Sequence, residues 1–436
     1  LIYLNNVLRP LRLLEPQGTS FLILRKVTTL TSSAFRWFAV LTCLMTWLLI
    51  GVGGVVTSQG VGMSVPDWPN TYGYNMFYFP FSQWIGGIFW EHSHRLVASV
   101  VGFMTLLLAV WAQGKNGRLW LRYGFFPLGL LASLVVFLRI QENQAQHLSI
   151  TLGFAAMAWV VSFFWPRMEP APKSIGRMAM VALGLVIVQG MLGGLRVTLY
   201  ADQIGIFHAT LAQIFLVLMA SIVLVVSPWW QRLKSVASHH SQSVRRVSAA
   251  LFVLSLLVLA QLLLGATMRH QHAGLAVSGF PLAYNQYLWP PTDAAFLNQV
   301  NAERLDHREF EPITASHIHV HMVHRVMAVV LLLVTCGLTV WTIKRLGWHH
   351  PMSRGVTAFF SLISLQATLG VATVLSNKAA DLATLHVLIG ALTLVTGCLM
   401  ILAAQRSLSL VNVPSPVSLK AEVTSSLKPE WSSAGA

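Results

Sequence analysis

Along this chain long apolar runs alternate with short polar stretches. Ten of the runs are long enough, or nearly so, to cross about 30 Å of hydrocarbon as helices. They cover roughly 37–56, 92–113, 123–139, 147–165, 178–196, 204–228, 249–268, 321–343, 355–376 and 382–404, and the third, from Tyr123 to Leu138, is the shortest. The pattern predicts an all-α polytopic membrane protein.

The runs also repeat. After the first, the chain reads Gly62-Met63-Ser64-Val65-Pro66-Asp67-Trp68-Pro69, and after the seventh, Gly274-Leu275-Ala276-Val277-Ser278-Gly279-Phe280-Pro281, an offset of 212. Glu91-His92-Ser93-His94-Arg95 matches His321-Met322-Val323-His324-Arg325 at offset 230, Gln189–Gly193 matches Gln366–Gly370 at 177, and Phe207-His208-Ala209 matches Leu385-His386-Val387 at 178. The changing offsets place about 53 extra residues between His94 and Gln189. Two pseudo-symmetric four-helix units, duplicated in parallel, plus an inserted helix pair at about 121–173 account for all ten runs. The expected organisation is a lead-in (1–35), a first unit (36–228), a linker (229–248), a second unit (249–406) and a tail (407–436), the last rich in Ser and Pro and read as disordered.

Composition agrees with a bilayer. The chain is 55% hydrophobic and 10% charged, where soluble proteins carry about 25% charged residues. Its net charge of +15 does not indicate nucleic acid, because Lys and Arg alternate from loop to loop. Arg9, Arg12, Arg25, Lys26 and Arg36 precede the first run, whereas 58–90 contains no Lys or Arg. Lys115, Arg118 and Arg122, then Arg167, Lys173 and Arg177, then Arg232, Lys234, Arg245 and Arg246, and finally Lys344, Arg345 and Arg354 fall on the first side. The long loop 269–314, with three Arg against five acids, falls on the other. The positive-inside rule then puts both termini in the cytoplasm of a bacterial-type inner membrane. Residues 1–33 lack a cleavable leader pattern, and Cys43, Cys336 and Cys398, all inside apolar runs, read as core packing.

Of sixteen histidines, the repeat singles out four: His94, His208, His324 and His386. Each falls near the outer end of the second or fourth helix of its unit, where a polar side chain is costly unless it has a function. Two imidazoles on facing helices of a four-helix bundle can ligate haem iron axially, and Arg95 and Arg325 would sit at the aqueous edge, able to pair with a propionate. Zinc lacks a third and fourth ligand here. Glu91 lies one helical turn before His94, and its counterpart is His321, so the halves differ chemically. A helix-terminal charge is the plainer reading of Glu91. Gly190, Gly193, Gly194 and Gly370 allow close packing or room for a macrocycle. His147, His270, His272, His317 and His319 read as structural or loop residues, and the aromatics from Trp68 to Trp90 as an interfacial layer.

These motifs, in order from about Trp37 to Arg406, resemble the haem A synthase family (CtaA/Cox15). The resemblance rests on Glu91–Arg95, the glycine-rich Gln189–Leu195, His208, Met268-Arg269-His270 with Gly274-Leu275-Ala276, His324-Arg325 and His386. It implies oxidation of the C8 methyl group of haem O to the formyl group of haem A. Haem O as substrate would be held by His94, His208 and Arg95, with Glu91 catalytic, and haem B as cofactor by His324, His386 and Arg325. The implied partners are haem O, membrane lipid and an electron donor that the sequence does not identify; haem O synthase and a second copy of the chain are further candidates. The outer-loop cysteine pair of some members is absent, and the inserted helix pair departs from the family's eight-helix plan. The alternative functions are a dihaem b-type electron carrier that leaves its haems unmodified, and a transporter or haem-handling chaperone.

Overall fold

The computed structural model describes residues 32–139, 144–165, 170–233, 236–303 and 312–410. Most of the lead-in and tail, with Arg9, Arg12, Arg25, Lys26, Arg167 and Lys234, lie outside the described residues. Ten described spans are long and apolar enough to cross a membrane. Their helices are α1 (Ser33–Ser58), α2 (Gly86–Ala112), α3 (Phe126–Arg139), α4 (Gln144–Phe164), α5 (Lys173–Thr198), α6 (Asp202–Val226), α7 (Ser238–His270), α8 (Ala315–Leu346), α9 (Pro351–Leu375) and α10 (Ala380–Ser409). Apolar, outward-facing side chains such as Leu41, Leu44 and Leu48 on α1 and Val326, Val329 and Leu333 on α8 give the molecule a surface suited to lipid.

Several helices outrun the apolar segments that announced them. The hydrocarbon sets the length of an apolar run, but helical hydrogen bonding continues into polar turns until a cap stops it. α8 begins at Ala315, where Thr314 and His317 form a reciprocal capping box, and α7 begins at Ser238, inside the expected linker. The short third span widens into a π-turn over Trp120–Phe125 just before Pro127. Proline has no N–H to return to the carbonyl four residues back, which accounts for the irregular turn there.

Helices α1, α2, α5 and α6 pack side by side into one closed ring, and α7, α8, α9 and α10 into another. The rings meet through α1 against α10, α6 against α7, and α6 against α10, so each half offers the same two faces to the other. Small residues make this approach close: Gly51 lies against Leu388 and Gly54 against Thr384. Across the same seam the Trp47 indole donates to the Leu388 carbonyl at 3.1 Å, and Arg269 donates to the Gly54 carbonyl and the Ser58 hydroxyl. The inserted pair α3–α4 packs outside the first ring, beside the end of α2, where Trp165 donates to the Gly114 carbonyl. Of the three cysteines, Cys43 and Cys398 are half-buried, but Cys336 is exposed on the outer surface of α8 and is no part of a packed core.

Candidate functional site: two histidine pairs

The hairpins α1–α2, α5–α6, α7–α8 and α9–α10 share one plan. The first helix of each carries a glycine five residues before its end: Gly53, Gly193, Gly265 and Gly370. The second carries a histidine a few turns in: His94 eight residues beyond Gly86, His324 nine beyond Ala315, and His208 and His386 six beyond Asp202 and Ala380. Each glycine backs the histidine of its own hairpin. A β-carbon would lie 3.0 Å from Cε1 of His94 at Gly53, 3.3 Å from that of His208 at Gly193, 3.3 Å from that of His324 at Gly265, and 3.4 Å from that of His386 at Gly370. The imidazoles therefore lie against bare backbone: a β-carbon would press on the rings of His94, His208 and His324 by a few tenths of an ångström and would just touch that of His386.

The same packing fixes which ring nitrogen is available. In all four histidines Nδ1 is buried without a full hydrogen bond, while the residue as a whole is only half-buried, so the open edge is the one bearing Nε2. The main chain of a glutamine lies beside three of the rings: Gln189 by His208, Gln261 by His324 and Gln366 by His386. Hydrogen on Nδ1 would leave Nε2 as a lone-pair donor. Two of these glutamines also hold the ligand helix, with Nε2 of Gln189 donating to the His208 carbonyl at 3.1 Å and Nε2 of Gln261 to the His324 carbonyl at 2.9 Å. Each glutamine stands four residues before its backing glycine; the corresponding residue before Gly53 is Leu49.

His94 and His208 are near enough to interact electrostatically, and so are His324 and His386. These are the two pairs that the repeat picked out. Among the described residues no group of three or more His, Cys, Asp or Glu could hold a metal. Two neighbouring histidines in each ring are too few ligands for a bare metal ion, whereas an iron porphyrin brings its own equatorial ligands and asks only for axial ones.

Arg95 does not stand at an aqueous edge. It is buried, with Nη1 donating to the carbonyls of Asp67 at 2.6 Å and Asn70 at 2.9 Å, and Nη2 to the Val65 carbonyl at 2.7 Å and to Oε1 of Glu91 at 2.8 Å. Glu91 accepts a second bond at Oε2 from the Val65 N–H at 2.8 Å. The motif thus clamps the loop after α1 onto α2. Helix α2 starts at Gly86, so Glu91 lies beyond the first turn and the helix-terminal reading of this carboxylate does not apply. Arg325 repeats one of these bonds, with Nη2 donating to the Val277 carbonyl at 2.8 Å, but its Nη1 is buried without a partner. The two loops also carry matching cis bonds, at Trp68–Pro69 and Phe280–Pro281.

The remaining histidines separate by their contacts. His92 is enclosed by Trp84 and Phe79, with ring centroids at 4.6 and 5.1 Å, and its Nδ1 lies 3.1 Å from the Thr71 hydroxyl. His147 is buried against Asn75 and fixes the inserted pair to the loop. His319 faces Trp289, and His317 caps α8. His270 departs from the loop position expected of it: its ring is buried at the end of α7, over Gly205 of α6. Gly194 packs beneath the Trp68 indole, and Gly190 faces open space. The backing glycines Gly53 and Gly265, and the cation Arg196 near the first pair, carried no motif signal of their own; Arg269 belongs to the Met268-Arg269-His270 motif, but nothing there placed it at the seam.

Comparison with known proteins gives the geometry a context. The family model described as COX15-CtaA, cytochrome oxidase assembly protein, matches residues 146–398, a segment that includes His208, His324 and His386. The heme A synthase of Shouchella clausii is 23% identical over 370 residues, covering 84% of this chain and 96% of that protein. That of Halalkalibacterium halodurans is 21% identical over 377 residues, covering 86% and 98%. The heme A synthase of Rhodopseudomonas palustris is 31% identical over a shorter stretch of 166 residues, 33% of this chain and 44% of that protein. The matched family segment is more than half of the chain, and it runs through three of the four glycine-backed histidines: the chain belongs to the COX15-CtaA family of cytochrome oxidase assembly proteins.

Proposed function

We propose that this membrane protein is a haem A synthase, an oxidoreductase that converts the C8 methyl group of haem O to the formyl group of haem A for cytochrome c oxidase. The observation that carries this reading is the fourfold glycine-backed histidine, two in each ring of helices, in a chain whose full-length relatives are named for that activity. Haem, when bound, supplies the oxygen and electron chemistry that no protein side chain can.

The residues divide the work as follows. His94 and His208 hold haem O, and His324 and His386 hold haem B as the resident cofactor, with Arg325 turning its unpaired Nη1 to a propionate. Arg95 serves the first site by holding the 65–70 loop over it. Glu91, one turn from His94, places a buried negative charge beside the substrate, where it accepts a proton or stabilises positive charge developing at the reacting carbon. The two units are residues 36–228 and 249–406, joined by 229–248, with both termini in the cytoplasm of an inner membrane. Methyl to formyl is a four-electron oxidation, so the reaction needs an external oxidant, with an electron donor as well where that oxidant is dioxygen; haem O synthase and a second copy of the chain are candidate neighbours.

The test is pigment analysis of the purified protein, combined with expression in cells that make haem O but lack a haem A synthase. Haem A in those cells, with haem B and haem O or A on the protein, is the expected result. A protein that carries haem B alone and yields no haem A is instead an electron carrier.

A further inference from the structure

The first histidine pair has a cation beside it that the loop clamp does not use. Arg196 lies on α5, one helical turn after Gly193, the glycine that backs His208. It is close enough to interact electrostatically with both His94 and His208. Among the described residues its ionic partner is Asp202, at 3.4 Å and half-exposed, and its Nε is buried without a hydrogen-bond partner.

His270 reaches the same place from the other half of the chain. A β-carbon on Gly205 would lie 2.5 Å from Cε1 and 2.6 Å from Nδ1 of His270, and 3.0 Å from Nε of Arg196. Gly205 stands one turn before His208 on α6, so both groups lie about 5 Å along the helix from the ligand, towards the loops. The His270 ring is 7% exposed, and its Nδ1 also lacks a partner. Two buried nitrogens without partners, the guanidinium Nε of Arg196, which can only donate, and Nδ1 of His270, which donates when it carries the proton, form a position that favours an anion. In the other direction from His208 the ring is lined by Val101, Leu108, Phe215 and Met219, which offer a carboxylate nothing.

We propose that Arg196 and His270 form a carboxylate position beside the His94–His208 pair and take a propionate of the substrate porphyrin, so that the second half contributes a substrate contact to the first. This rests on the haem A synthase reading. It moves the propionate contact of the first site from Arg95, whose guanidinium is committed to the loop and to Glu91, to Arg196. It also gives a reason for the close seam between α6 and α7: the first site is incomplete without the end of α7.

The experiment compares haem O with its dimethyl ester as ligands of the purified full-length protein, followed by titration of the Soret band. The ester keeps the iron and the ring, removes the propionates' negative charge and adds a methyl group to each, and the wild-type comparison does not depend on how a variant folds. Wild type is expected to prefer the free acid by roughly tenfold or more. Arg196→Gln and His270→Gln should lose most of that preference while keeping the six-coordinate bis-imidazole spectrum. Arg196→Lys should recover some of it, since it restores the charge but not the planar donors. Equal affinity of wild type for acid and ester, or full discrimination in Arg196→Gln, overturns the proposal while leaving the haem A synthase reading intact. Failure of wild type to bind haem O in a six-coordinate state overturns both.

Discussion

Gly53 backs the His94 ring so closely that a β-carbon would come within 3.0 Å of Cε1. Since the same relation recurs at Gly265 with His324, a larger residue at either glycine must displace a ligand or push neighbouring helices away from each other. Gly265→Val is expected to cost about 1–3 kcal/mol through overpacking and to lower the haem B retained per chain. Gly190→Ala, on a helix of the other ring and with nothing within 4 Å, is the control and should retain its pigment. Haem content in Gly265→Val equal to that of wild type would show that the backing glycine is dispensable.

The two pairs should fail differently. His324→Ala and His386→Ala are expected to lose tightly bound haem B, whereas His94→Ala and His208→Ala should keep it and lose conversion of haem O. Pyridine haemochrome spectra of the four purified variants, with haem A measured in the membranes, give the answer. The same pigment lost equally from all four would contradict one haem per ring.

Glu91→Gln tests the buried charge. The carboxylate accepts from both Val65 N–H and Arg95, and an amide can offer an oxygen to only one of them while its NH2 faces the other donor. Breaking a buried ion pair by removing one partner costs about 3–5 kcal/mol, reduced here because Arg95 keeps three carbonyl acceptors. We expect both haems to remain bound and most turnover to be lost, read as haem A formed per bound haem B at equal expression. A normal yield would assign Glu91 to the loop clamp alone.

Tyr284 should give the loop 271–314 an alkaline limit. Burial raises its phenol to about 12, against a smaller opposing influence of the Arg325 guanidinium, and its hydroxyl donates to the Ala276 carbonyl. The folded-state value lies above the unfolded one of about 10, so the contribution is complete below about pH 10 and is lost as pH rises towards 12. Tyr284→Phe removes the bond at every pH, at a cost of about 1 kcal/mol. It should also flatten the decline in melting temperature above about pH 10. An identical alkaline decline in the variant and wild type would exclude Tyr284 as its source.

The sequence by itself determined the ten spans, because a bilayer of fixed thickness requires apolar runs of fixed length. It also showed the duplication and the four histidines, because matching residue types survive at nearly constant offsets. The fourfold glycine–histidine relation was not legible. Glycine and histidine are 41, 15, 59 and 16 residues apart in the four hairpins, and only folding of those unequal loops brings each pair together. The same holds for Arg95, whose place after His94 resembles that of Arg325 after His324. One is buried under four bonds and the other keeps an unpaired Nη1, since the 65–70 loop closes over Arg95 whereas the matching loop meets Arg325 at the Val277 carbonyl. Arg196 and His270 carry no shared motif and sit on different halves; the packing of α5 and α7 on either side of Gly205 of α6 decided that they meet. Apolar length and repetition are properties of the chain read in order, whereas a contact between distant residues depends on how helices cross and where loops return.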